Sequence, residues 1–170
     1  MQRIAQFFKV SFNQFCADYS DTFSYISKDE LFKIYDNLTL PSRATVGSAG
    51  YDFVTPVEIT LKPKQCIKIP TGIRVKMEPG WMLQCYPKSG LGTKFRMQLD
   101  NTVGIIDSDY FYAKNEGHII IKITNDSNED KTLKIDAGKA FFQAIFVEYG
   151  ITVDDNATDQ RVGGFGSTQK

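Results

Sequence analysis

The chain reads as an all-β sandwich or barrel, with a helical segment ahead of it and a polar tail behind. Three observations carry that reading. Short runs rich in β-branched and aromatic residues recur between positions 57 and 147. Clusters of Gly, Pro, Asn and Asp separate them at close spacing, and no helical periodicity intervenes. With 170 residues the chain is most simply one domain, long enough to bury roughly 68–70% of its unfolded surface.

The first 40 residues carry the helical pattern. Ser11 with Gln14, and Ser27 with Glu30, fit the capping box that starts a helix. Phe12, Phe15 and Tyr19 then share one helical face, and Leu31, Ile34, Tyr35 and Leu38 another. Two short amphipathic helices follow from this, stopped by Pro41, their aromatic stripes serving as packing faces. Residues 41–150 form the β-domain, with strands expected at 57–61, 65–69, 72–77, 81–86, 118–124, 132–135 and 140–147. Turns are expected at Lys62-Pro63-Lys64, Pro70-Thr71-Gly72, Glu78-Pro79-Gly80 and Asp136-Ala137-Gly138. Residues 151–170 have little to bury and form an arm that, fully extended, reaches about 60 Å.

Composition narrows the function. The apolar fraction is 42%, the charged fraction 24%, and acids and bases balance at 20 each. No global field therefore recruits nucleic acid or an anionic membrane, although a local basic site for a small phosphate ligand is compatible with it. No apolar run has the length of a membrane helix, and the amino terminus lacks a signal-peptide pattern. Cys16, Cys66 and Cys85 have no metal-ligand spacing and are expected to be reduced and cytoplasmic. The glycosylation-like triplets at Asn37, Asn125 and Asn156 are then chance matches.

Two stretches bear chemistry. In Asp100-Asn101-Thr102-Val103-Gly104-Ile105-Ile106-Asp107-Ser108-Asp109-Tyr110 an amide, carboxylates and a phenol surround an apolar run. Val103, Ile105 and Ile106 suggest a buried strand with Gly104 at a close approach, presenting Asp107 and Tyr110 at its far end. A surface turn is the plainer reading. In Tyr86-Pro87-Lys88-Ser89-Gly90-Leu91-Gly92 the glycines expose amides beside a lysine and a hydroxyl, without the order of a Walker loop. A simple turn is again the alternative. The segment from Asp126 to Asp130 begins like a calcium loop but has Lys131 and Ala137 where glycine and glutamate are required. In the tail, Arg161 and Phe165 flank glycines that suit an anion and a planar group.

Together, five segments resemble the five motifs of the trimeric dUTPase family, in order. They are Gly47-Ser48-Ala49-Gly50-Tyr51-Asp52-Phe53, the lysine segment at 86–92, the acidic segment at 100–110, the segment 138–146 containing Gln143, and Gly163-Gly164-Phe165-Gly166-Ser167-Thr168. The resemblance implies a distorted jelly-roll β-barrel, assembled as a homotrimer whose sites draw motifs from different chains. It implies hydrolysis of dUTP to dUMP and pyrophosphate, with Mg2+ on the triphosphate; no nucleic-acid or membrane partner is expected from the balanced charge. Asp107 then positions the water that attacks the α-phosphorus, and Gln143 lies near that water and the phosphates. Asn101 reads uracil beside groups of Gly104, Ile105, Ile106 and Ile120. Tyr110 packs under the deoxyribose and excludes a 2′-hydroxyl. Lys88, Ser89 and Gly90 take phosphates, and Asp52 holds magnesium through its water shell. Arg161, Gly164, Phe165, Gly166, Ser167 and Thr168 close over the ligand, the ring stacking on uracil.

The departures are specific. Lys88 stands where the family usually has arginine. Gln160 occupies the usual place of the fifth-motif arginine and Arg161 follows it, so either takes that role. Residues 111–115 look inserted after Tyr110, which makes Tyr112 a second candidate for the sugar. The helical first 40 residues lie outside the pattern. A sister family, dCTP deaminase, carries a glutamate on the strand after this hairpin, where Lys122 stands. A dUTP-binding regulator on the same scaffold is the third reading.

Overall fold

A computed structural model describes residues 2–159, Arg161 and Gly163. In chain order the elements are β1 (Ala5–Lys9), α1 (Phe12–Ser20), α2 (Lys28–Asp36), β2 (Ser42–Arg43), β3 (Tyr51–Val54), β4 (Ile59–Leu61), β5 (Cys66–Pro70) and β6 (Ile73–Met77). Then come β7 (Trp81–Pro87), α3 (Ser89–Phe95), β8 (Met97–Leu99), β9 (Gly104–Ile106), a 3-10 turn (Ser108–Tyr112), β10 (Ile120–Asn125), β11 (Leu133–Ile135) and β12 (Ala140–Glu148). The strands are antiparallel and form the distorted jelly roll that was expected. Its largest sheet has the order β2-β3-β12-β7-β9, beside β5-β10-β8, β11-β4 and β1-β6.

β12 is the spine. Its partners are β3 on one side and β7 on the other, with a register shift between Ala140 and Phe142. That irregularity explains why consecutive residues, Phe141 and Phe142, are both buried instead of alternating. They join Phe53, Ile69, Leu83, Met97, Ile119, Ile123 and Leu133 in the main core.

The two helices pack over a second cluster of Val10, Phe15, Tyr19, Phe23, Leu31 and Leu38. Ile67 touches both clusters and joins the layers. The approach is close at the Pro70-Thr71-Gly72 turn: a Cβ on Gly72 would lie 2.3 Å from Leu38 Cδ1. Ser27 and Glu30 form the full capping box. Ser11 caps Gln14, but its own N–H donates to Glu116 Oε2 at 2.8 Å, so that box is not reciprocal.

Four expectations need correction. Residues 5–9 form a strand, because Ala5 through Lys9 pair in full register with β6. α2 ends at Asp36, where the Asn37 side chain and N–H both bond Lys33 O, and not at Pro41. The segment after Lys88 is helical, not a simple turn. Val103 lies outside β9, and Ile105 is exposed. β9 is an edge strand paired with β7 alone, so its apolar residues alternate between two faces and are not both buried. The calcium-like segment is a turn in which Asp126 accepts from Lys64, Arg96 and Gln98.

Candidate active site

The described residues among those predicted fall in two groups beside β7 of the five-stranded sheet, with Ile120 on the neighbouring β10. The first sits where β3, β12 and β7 meet. Gln143 faces Asp52 across one ladder and Tyr86 across the other. Lys88 follows β7 directly, and its Nζ lies 2.9 and 3.1 Å from the two carboxylate oxygens of Asp52. Gln143 donates from Nε2 to Pro87 O at 3.4 Å. Its Oε1 fills the space over Gly50, where any Cβ would come within 2.7 Å. That contact gives the first motif's second glycine a physical reason. Ser89 and Gly90 are exposed in the first turn of α3, where amides have no intrahelical acceptor.

The second group lies along the turn between β8 and β9 and just beyond it. Thr102, with φ 63°, turns the chain back, and its N–H bonds Leu99 O. Asn101 is left exposed above Gly104, where a Cβ would meet Cys85 Cβ at 3.1 Å and Asn101 Nδ2 at 3.7 Å. Ile106 runs into Asp107, the half-buried N-cap of the 3-10 turn. Ile120 is buried on β10 opposite Pro70.

Asp107 pairs with Nη2 of Arg161, whose Nε donates to Asp109 Oδ1 at 2.8 Å. The guanidinium stands 5.9 Å from the Tyr110 ring centre. Burial pushes the Asp107 carboxyl above the usual carboxylate range; Arg161 opposes that shift and Asp109 adds to it. Tyr110 is buried: its hydroxyl donates to His118 O at 2.8 Å and accepts from Asn115 Nδ2 at 2.8 Å. Tyr112 is 69% exposed. Gly164, Phe165, Gly166, Ser167, Thr168 and Gln160 lie outside the described residues.

The second group runs alongside β7 from Gly104, opposite Cys85, so that Lys88 and Asp107 lie beyond opposite ends of that strand. Ile106 faces Leu83 in register, five residues before Lys88, or about 17 Å along a strand. Lys122, at the deaminase glutamate position, is an ion-pair partner of Asp100 at 2.8 Å. Asp109, Asn115 and His118 received no role from the sequence. The available signal was that the chain's single histidine opens the β10 run directly after Gly117.

Comparisons with known proteins agree with this architecture. The dUTPase family model matches residues 36–169. The deoxyuridine 5'-triphosphate nucleotidohydrolase of Finegoldia magna is 41% identical over 140 residues, covering 78% of this chain and 92% of the relative. That of Lactococcus lactis subsp. lactis is 34% identical over 134 residues, covering 77% and 88%. The crystal structure of a dUTPase from Streptococcus mutans aligns with TM-score 0.60 at 32% identity, over 69% of this chain and 90% of that one. A Staphylococcus bacteriophage 80alpha dUTPase aligns with TM-score 0.63 over 99% and 100%, at 20% identity, a likeness of fold alone. Fold and motif order define a nucleotide-hydrolase scaffold of the jelly-roll type. The chain belongs to the dUTPase family.

Proposed function

We propose that this protein is a dUTP diphosphatase that cleaves dUTP to dUMP and pyrophosphate at sites shared between the chains of a homotrimer. Water attacks the α-phosphorus in line, the bond to the bridging oxygen breaks, and pyrophosphate leaves. Such a reaction needs positioning and charge neutralisation more than a covalent nucleophile. Asp107 orients the water and takes its proton, which suits a carboxyl whose basicity burial has raised. Lys88, the amides of Ser89 and Gly90, Gln143 and Arg161 hold the phosphates. Asn101, with groups of Gly104, Ile105, Ile106 and Ile120, reads uracil. Tyr110, beside Asp107 and already fixed, forms the wall under the deoxyribose; the exposed Tyr112 is not held there. Phe165, Gly164, Gly166, Ser167 and Thr168 would complete the closed site.

The observation that supports sharing is the separation along β7. Lys88 and Asp107 of one chain are too far apart to touch the same triphosphate, so one chain's phosphate group meets another chain's Asp107. In this chain Arg161 rests on its own Asp107; an arm (151–170) closing over a neighbour's site is part of the same proposal, as is a helical extension (1–40) ahead of the β-domain (41–150), tied to that domain by the strand Ala5–Lys9. Magnesium fits Asp52 through water, since a carboxylate oxygen and the phosphates suit a hard ion. When bound, it would neutralise charge on the triphosphate. The location proposed is cytoplasmic, in keeping with three unpaired cysteines. Lys122 cannot supply a deaminase's carboxylate, and its pairing with Asp100 gives it a structural task. Pyrophosphate release from each deoxynucleotide and from UTP, with magnesium present, tests the proposal: release from dUTP alone is expected, and a deaminated product from dCTP would overturn it.

A further inference from the structure

The helical extension, one departure from the family pattern, is bonded to the residues directly after the other, the insert at 111–115. Ser11 donates its N–H to Glu116 Oε2 at 2.8 Å and its hydroxyl to Oε1 at 2.6 Å. Seven residues later, two helical turns on and therefore on the same face, Asp18 Oδ2 lies 2.5 Å from His118 Nδ1. His118 Nε2 accepts from the Gly72 N–H at 2.7 Å, so the ring proton sits on Nδ1 and points at Asp18. Gln14 donates to the same carboxylate oxygen at 2.8 Å and holds it in place.

These two contacts flank Gly117. Its φ is +69°, and any Cβ there would stand 2.6 Å from the Tyr110 carbonyl oxygen. Gly117 thus lies close against the backbone of Tyr110 and Phe111, while the Tyr110 hydroxyl is bonded to His118 O. Glu116 is held at φ 58°, a left-handed conformation that a glutamate adopts only under constraint. Its carboxylate also faces Arg74 Nη1 at 3.7 Å. Arg74 donates to Phe111 O at 2.6 Å and stacks its guanidinium 3.7 Å from the Phe111 ring centre.

We infer that α1 is a brace for the end of the insert: Ser11 on Glu116 and Asp18 on His118 pin the chain where it leaves residues 111–115 and so hold the Tyr110 ring in the position that excludes ribonucleotides. Glu116 and Asp18 are positioning residues that act through Tyr110. The inference rests on the proposed role of that tyrosine at the sugar. A loop of inserted residues, left alone, would let the ring move, and a 2′-hydroxyl would find room. The brace removes that freedom without touching substrate.

The test compares kcat/KM for dUTP and for UTP in Glu116→Ala and Asp18→Ala. Each should lower the preference for dUTP roughly tenfold, the effect of losing a charged hydrogen bond that fixes a discriminating group. Glu30→Ala, which breaks the α2 capping box without reaching the insert, should leave the preference intact. Ser11→Ala removes one of the two bonds to Glu116 and should give a smaller fall, so it carries the test if Asp18→Ala does not fold. A protein that prefers dUTP and keeps that preference in all the brace variants overturns the brace alone. A wild-type chain with no preference overturns the role of Tyr110, and the brace with it.

Discussion

At the scale of single residues the site is poised by opposing charges. Asp107 is lifted by burial and by Asp109 and lowered by Arg161. A water-positioning base works ionised, so activity should fall as pH drops through this raised pKa, earlier than for an ordinary carboxylate. Arg161→Ala removes the lowering influence, and the acid limb of kcat/KM should move to higher pH; an unmoved or lowered limb would refute the pairing. Asp107→Asn should still bind dUTP and lose roughly 10²–10⁴-fold in kcat, the usual cost of a missing base. Single-turnover hydrolysis with a separate binding titration distinguishes the two effects. Asp107, Lys88, Asp52 and Gln143 were legible as residues because motif order marks them. Their partners were not. That Lys88 lies on Asp52, or Arg161 on Asp109, depends on which strands are neighbours, and pairing order is not written in any local pattern.

At the scale of elements, turn chemistry and burial tell the same story. The seven expected strands of the β-domain fall within two residues of the observed ones, because Gly, Pro, Asn and Asp punctuation separates them. β1 escaped notice since its Phe7 and Phe8 point to different layers and their neighbours are polar. Phe7 packs among Tyr51, Phe53 and Phe146, whereas Phe8 meets Phe111. α3 escaped because two glycines in seven residues argue against a helix. The tertiary setting overrode propensity there. Gly117 supplies an element-scale prediction. Gly117→Ala forces a Cβ against the Tyr110 carbonyl in a left-handed residue, and should destabilise the fold by at least about 1 kcal/mol. Urea unfolding measures it; a neutral result would mean the insert can relax away from Tyr110.

For the whole molecule the decisive feature is that β7 separates the phosphate group from Asp107. Sedimentation should find a trimer. Mixing Asp107→Asn chains with Lys88→Ala chains in equal amounts should restore about a quarter of the sites, because each site takes its two residues independently from two chains in a closed ring. No recovery after mixing would place both residues in one chain's site. Deleting residues 159–170 should leave the trimer folded, as the buried core of the described residues ends at Ala144, yet abolish turnover. A truncated enzyme that keeps its activity would remove the arm from the mechanism.

The close approach of Gly104 to Cys85 has one more consequence. Cys85 is fully buried under the β7–β9 ladder, with its thiol pushed up to about 12 by that burial, while Cys66 is exposed and Cys16 is partly so. An alkylating reagent should therefore find the outer thiols quickly and the inner one only when the sheet parts. Cys85 is a built-in stopwatch: its labelling time counts how often the strand that joins the two halves of the site comes open.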